Sequence, residues 1–158
     1  MAKINFTSPT VQKFYGSFYD TTTQPAASAN TAYPISMNST DLSYGVTVNA
    51  SSITFQNAGI YNVQWSGQFA DTKSAQIDIW VRKNGYDILG SNGTINVDNQ
   101  NSHALPSWNY FFNLNANDVL QFYWASTSNS TSLVYAPSAV ASPYHPSTFS
   151  MILTAVQI

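Results

Sequence analysis

Two histidines, seven aspartates and no glutamate or cysteine are all that this 158-residue chain offers for acid, base or metal chemistry. Nucleophilic hydrolysis needs a serine raised on a Gly-x-Ser-x-Gly turn with a histidine beside it, and that motif is absent. His103 lies in Asn101-Ser102-His103-Ala104 and His145 in Pro143-Tyr144-His145-Pro146. Both read as single histidines in polar loops, where solvation is the ordinary state. Asp20, Asp41, Asp71, Asp78, Asp87, Asp98 and Asp118 are single and scattered, whereas a glycosidase needs a pair with one member kept protonated. The oxygen-rich stretch from Asn96 to Asn101 lacks the spacing of a calcium loop. The expectation is a protein without catalytic residues, cofactor or metal. Trp108, Tyr135 and Tyr144 read as contacts that stack on a sugar ring or a partner, or else pack the ends of the fold.

The composition narrows the partners. Charged residues are 8% of the chain, against about a quarter in an ordinary soluble protein. Ser, Thr, Asn and Gln number 61, so neutral groups do the solvating. A net charge of −2 with one arginine, Arg82, makes no phosphate-tracking surface, so no nucleic acid is expected as partner. The same shortage argues against anionic lipid. The longest apolar clusters, Tyr110-Phe111-Phe112 and Met151-Ile152-Leu153, are far too short for a membrane span. An aromatic content of 15% argues against disorder. Without cysteine no disulfide forms, and packing alone holds the chain, which fits assembly in a reducing cytoplasm. The start has no apolar signal region, so none is expected to be cleaved. The length suits one domain, residues 13–158, behind a short arm at 1–12.

The elements that must position these residues are strands. Tyr61, Val63, Trp65, Gly67 and Phe69 share one face, and Ile60, Asn62, Gln64, Ser66 and Gln68 the other. Ile77, Ile79 and Val81 alternate with Gln76, Asp78, Trp80 and Arg82, and Asn84-Gly85 then supplies a type I′ hairpin turn. Asn92-Gly93 repeats the turn signal. Residues 108–114, 119–124 and 149–158 are further strands, with shorter ones at 13–20, 44–49 and 52–56. No window carries a helical apolar stripe. Residues 21–31 and 125–146, rich in Ser, Thr, Ala and Pro, read as long surface loops.

Several strands are apolar on both faces. Trp80 sits with Gln76, Asp78 and Arg82, and Phe111 between Asn109 and Asn113. Tyr123 opposes Phe122 and Trp124, while Ile152 and Val156 oppose Met151, Leu153 and Ala155. A sandwich has one dry face per sheet, so a second apolar face implies a further surface to bury. Trp80, Phe111, Tyr123, Ile152 and Val156 are therefore expected to form a self-association interface.

The pattern Gly59-x-Tyr61-x-Val63, Val81-x-Lys83-Asn84-Gly85, Leu114-x-x-x-Asp118-x-Leu120 and Ser147-x-Phe149-Ser150 resembles the tumour-necrosis-factor-like jelly roll, including the complement globular head. The variant with Ile79-Trp80-Val81-Arg82-Lys83-Asn84-Gly85 and a closing Leu153-Thr154-Ala155-Val156-Gln157 is similar to domains of tailed-bacteriophage structural proteins. The resemblance covers roughly residues 13 to 158. It implies an all-β, ten-stranded antiparallel jelly-roll sandwich and a compact homotrimer. It also implies a non-enzymatic place on the virion surface, after assembly in the host cytoplasm. The chain has no Gly-x-y repeat or heptads for a fibre shaft. The expected partners are thus other copies and the major capsid protein or another virion protein, as in a capsid decoration. The alternative is a receptor- or glycan-binding tip of a tail or head fibre, with a host cell-surface glycan as partner.

Overall fold

The computed structural model describes residues 12–98 and 102–158. The expected arm falls almost wholly outside the described residues. Among the described residues there is no helix, and sixteen strands carry the fold. In chain order they are β1 (Tyr15–Asp20), β2 (Gln24–Pro25), β3 (Tyr33–Pro34), β4 (Ser39–Tyr44), β5 (Val46–Asn49), β6 (Ser52–Phe55), β7 (Gly59–Gly67) and β8 (Phe69–Asp71). Then follow β9 (Ala75–Lys83), β10 (Tyr86–Asp87), β11 (Gly93–Val97), β12 (Ser102–Ala104), β13 (Ser107–Leu114), β14 (Asp118–Ser126), β15 (Ser132–Leu133) and β16 (Met151–Gln157).

Two large sheets face each other. One has five strands in the order β13-β7-β16-β1-β4. The other has seven: β10-β9-β14-β6-β5, with β11 also on β9 and β3 on β14. A small third sheet, β12-β8-β15-β2, closes one end. The alternation expected from the sequence places the core. Tyr61, Val63 and Trp65 point inward from β7, Ile77, Ile79 and Val81 from β9, and Leu120, Phe122 and Trp124 from β14. They meet Phe18 and Leu153 in one buried cluster, with Trp65 against Phe122 at 5.7 Å between ring centres. This is the all-β sandwich that the period-two signal predicts.

The strands outnumber the ten expected because short pairings such as β3, β10 and β12 add to the long strands, and because residues 21–31 and 125–146 are not wholly loop. They contain β2 and β15, and Ala26, Thr131 and Leu133 are buried there. Strands of two residues carry no readable alternation. Asn84-Gly85 is the expected turn, with φ of +51° and +85°. Asn92-Gly93 is not one. Gly90, at φ +78°, takes the left-handed position, and Gly93 opens β11. Gly93 is required for another reason: a Cβ there would lie 2.2 Å from the Trp108 ring.

Candidate functional site

The five expected interface residues divide between opposite outer faces of the sandwich. Trp80 and Tyr123 lie directly opposite each other on β9 and β14 of the seven-stranded sheet. Their rings stack at 5.9 Å, and the Arg82 guanidinium carbon stands 3.9 Å over the Tyr123 ring. Asp87 accepts from Trp80 Nε1 at 2.7 Å and from Arg82 Nε at 2.5 Å. The Arg82 hydrogen bond, then that of Trp80, holds the Asp87 carboxyl below the usual carboxylate range. Nearby, Asp78 accepts from Gln76, Asn92 and Thr94, and the Gln121 amide donates to Ser51 and Ser52. The carboxylates and the Gln121 amide of this face are engaged within the chain, while Thr47, Asn49, Thr54 and Asn96 make no side-chain hydrogen bond among the described residues.

Phe111, Ile152 and Val156 lie on the outer face of the five-stranded sheet, 62%, 42% and 47% exposed. Asn62 of β7 has Phe111 opposite it on one side and Val156 on the other. Asp20 opposite Met151, and Gln157 N donating to Phe14 O, set Tyr15 beside Val156 and Tyr19 beside Ile152. Ile60, Leu42 and Tyr44 extend the apolar surface, each about half exposed. The charge on these strands' outward side is Asp41 of β4.

This face also holds open hydrogen-bonding groups. Asn62, Gln64, Ser66, Ser107, Asn109 and Thr154 make no side-chain hydrogen bond among the described residues. The Asn62 carbonyl oxygen is buried without a partner. Gln64, Ser66, Ser107, Asn109, Ile152 and Thr154 line a groove of about 490 Å³. Two further depressions, each of about 350 Å³, share Ile152 as a wall.

The other candidate residues are dispersed. Trp108 is not a loop residue but an inward-facing, half-buried member of β13, stacked on Trp65 at 5.2 Å. The alternation of β13 turns it toward the core, in keeping with the packing role weighed for it, and with Trp65 it also lines the groove of about 490 Å³ on this face. Tyr135 is half-buried and its backbone N–H donates to Thr23 Oγ1. Tyr144 is 76% exposed. His103 lies in β12 opposite Ala70, not in a loop; it is exposed. His145 Nδ1 sits 2.7 Å from the Pro146 carbonyl oxygen. Among the described residues no group of three or more His or Asp is placed to hold a metal. Asn96 and Val97 are in β11, and the rest of the oxygen-rich stretch, beyond Asp98, lies outside the described residues.

The aspartates stay apart, and no two share a hydrogen-bond partner among the described residues. Asp20 accepts from Thr22 N, Thr22 Oγ1 and Ser150 Oγ. Asp71 is buried; burial pushes its pKa up, but hydrogen bonds led by Thr131 and Ser130 outweigh this and hold it low. Asp118 forms an ion pair with Lys83 at 2.7 Å. It also accepts from Asn84 Nδ2 and Asn115 N, and Lys83 above all lowers its pKa to about 2. Asp118 thus closes the turn that begins at Asn115 and leads into β14. The Asp71 network is not legible, because Ser126, Ser130 and Thr131 carry no motif.

No protein-family profile matches the chain, and no curated protein does. Solved structures do. The crystal structure of murine APRIL at pH 8.5 aligns with a TM-score of 0.58 at 10% identity, covering 93% of this chain and all of that one. The murine APRIL structure at pH 8.0 gives 0.56 with the same coverage and identity. The globular domain of zebrafish complement 1qA aligns at 0.48 and 11% identity over 92% of this chain and 96% of that one. At 0.48 that likeness is too loose to add to the assignment. At such identities the matches speak for fold alone: the chain is a tumour-necrosis-factor-like jelly roll.

Proposed function

We propose that this chain is a non-enzymatic virion structural protein of a tailed bacteriophage, a homotrimer that decorates the outside of the capsid. The observation that supports self-association is the outer face of the five-stranded sheet. Phe111, Val156, Ile60, Leu42 and Tyr44 are exposed together on strands whose outward charge is Asp41 alone. This reading omits Trp80 and Tyr123, which Arg82 and Asp87 already engage, and Ile152, which lies at the polar end of the face. A threefold ring joins unlike surfaces. Tyr86 and Leu89, 80% and 98% exposed, offer the second apolar surface. They precede a turn that Tyr110 of β13 holds through its hydroxyl on Ser91 O. The phage assignment rests on the sequence pattern around Gly59, Trp80–Gly85 and Leu153–Gln157. Docking would follow through the arm or one trimer end, on the major capsid protein or another virion protein.

A fibre-tip reading is favoured by the open polar groups beside Ile152. Binding assays separate the two. Saturable binding to purified empty capsids supports decoration. Saturable binding to host cells or their surface polysaccharide supports the tip. Binding to none of these contradicts both.

A further inference from the structure

The outer face of the five-stranded sheet is not uniform along its strands. One end is apolar and carries Phe111, Val156, Tyr15 and Tyr44. The other end carries Ser107, Ser66, Ile152 and Tyr19. Three depressions of about 490, 350 and 350 Å³ meet there at Ile152.

The chemistry of these depressions is specific. Gln64 and Asn109 bring amide donors and acceptors, and Ser66, Ser107 and Thr154 bring hydroxyls. None of them is hydrogen-bonded within the described chain. Tyr19 and Phe149 form an aromatic pair at 4.2 Å and 23° on one wall. Asp41 stands beside them without an ion pair or side-chain hydrogen bond among the described residues. No lysine or arginine lines any of the three depressions.

Each property excludes an occupant. Without a cation the site has nothing to pair with phosphate or sulfate. With so many open polar groups it does not suit an acyl chain. A peptide added as a strand would align along a sheet edge, whereas the groove of about 490 Å³ runs across β13, β7 and β16 and the second depression across β1, β4 and β16. Hydroxyl-rich rings with apolar faces match the remaining chemistry: amides, hydroxyls and one carboxylate for the hydroxyls, and an aromatic pair for the ring face. We propose that the Ile152 end of this face binds a neutral oligosaccharide. Gln64, Asn109 and Asp41 hydrogen-bond its hydroxyls, and the Tyr19–Phe149 pair stacks on a sugar ring. The seven-stranded face is not a rival. There Arg82 covers Tyr123, Trp80 is tied to Asp87, and the carboxylates are engaged by neighbours.

The test uses isoleucine-methyl-labelled full chain, because Ile152 reports from the junction of the depressions. The probes are maltopentaose, chitotetraose and a β-galactose trisaccharide, with a heparin tetrasaccharide as the charged control. At least one neutral probe should shift the Ile152 methyl saturably. Gln64→Ala with Asn109→Ala should weaken that binding at least tenfold. Ile152→Trp, which fills the junction and removes no polar group, should abolish binding, read by titration calorimetry. No response to any neutral probe overturns the proposal. So does equal binding of the heparin fragment, or binding that survives these substitutions. The solution mass, taken on the same samples, keeps this outcome separate from the self-association reading. A trimer that binds no sugar sinks only the site, and a monomer that binds sugar sinks only the trimer.

Discussion

Asp118 joins the β9–β10 turn to the start of β14, because its carboxylate meets Lys83, Asn84 and Asn115 together. Its pKa in the folded chain is about 2, below the ordinary aspartate value, chiefly because Lys83 donates to it. A carboxyl depressed on folding adds stability above its unfolded pKa and loses it as pH falls through the folded value. Thermal stability should therefore decline between about pH 4 and pH 2. In Asp118→Asn this decline should shrink, with a loss on the order of 1–2 kcal/mol at pH 7 after allowance for solvent screening. Melting curves from pH 7 to pH 2 check both. A second expectation concerns Trp80. Its partners lie within the chain, so Trp80→Ala should leave the solution mass unchanged while lowering the melting temperature. A fall to monomer would return Trp80 to the interface. At this scale the alternation showed that Trp80, Phe111, Tyr123, Ile152 and Val156 point outward. It did not show from which sheet. Sheet membership depends on pairings across distant segments, such as Trp80 with Tyr123, and a period of two contains no such information.

Among the elements, β13 joins fold and site. Its inward residues Trp108, Tyr110 and Phe112 pack toward the core, while Ser107, Asn109 and Phe111 face out. Trp108→Ala should cost roughly 2–3 kcal/mol, less than for a fully buried aromatic because the ring is half-buried against the core, and denaturant unfolding measures it. An unaltered midpoint would restore Trp108 as a surface contact. Gly93→Ala should also destabilise, by roughly 1–3 kcal/mol, since its methyl group would meet the Trp108 ring. The long strands β7, β9, β13 and β14 were legible because eight or nine residues display their alternation in full. The third sheet was not. Its strands are two or three residues long, and the buried Asp71–Thr131 contact that anchors it spans 60 positions. The Ser, Thr and Pro content that suggested open loops instead supplies the hydroxyls of that buried network.

For the whole molecule, the low charge and the two unlike outer faces have one consequence. The seven-stranded face engages its carboxylates and its aromatic pair within the chain. The five-stranded face leaves apolar side chains and open polar groups facing outward, and it suits a partner. Phe111→Asp with Val156→Asp places two charges on the apolar end without touching the core. That variant should stay folded by circular dichroism and lose self-association, because buried unpaired charge is costly. The most direct measurement is the solution mass of the unaltered chain, by size-exclusion chromatography with light scattering at micromolar concentration. The expected result is a stable species of three times 17.3 kDa, reduced to a single chain by the double substitution. A monomer of 17.3 kDa across the accessible concentration range would contradict the account.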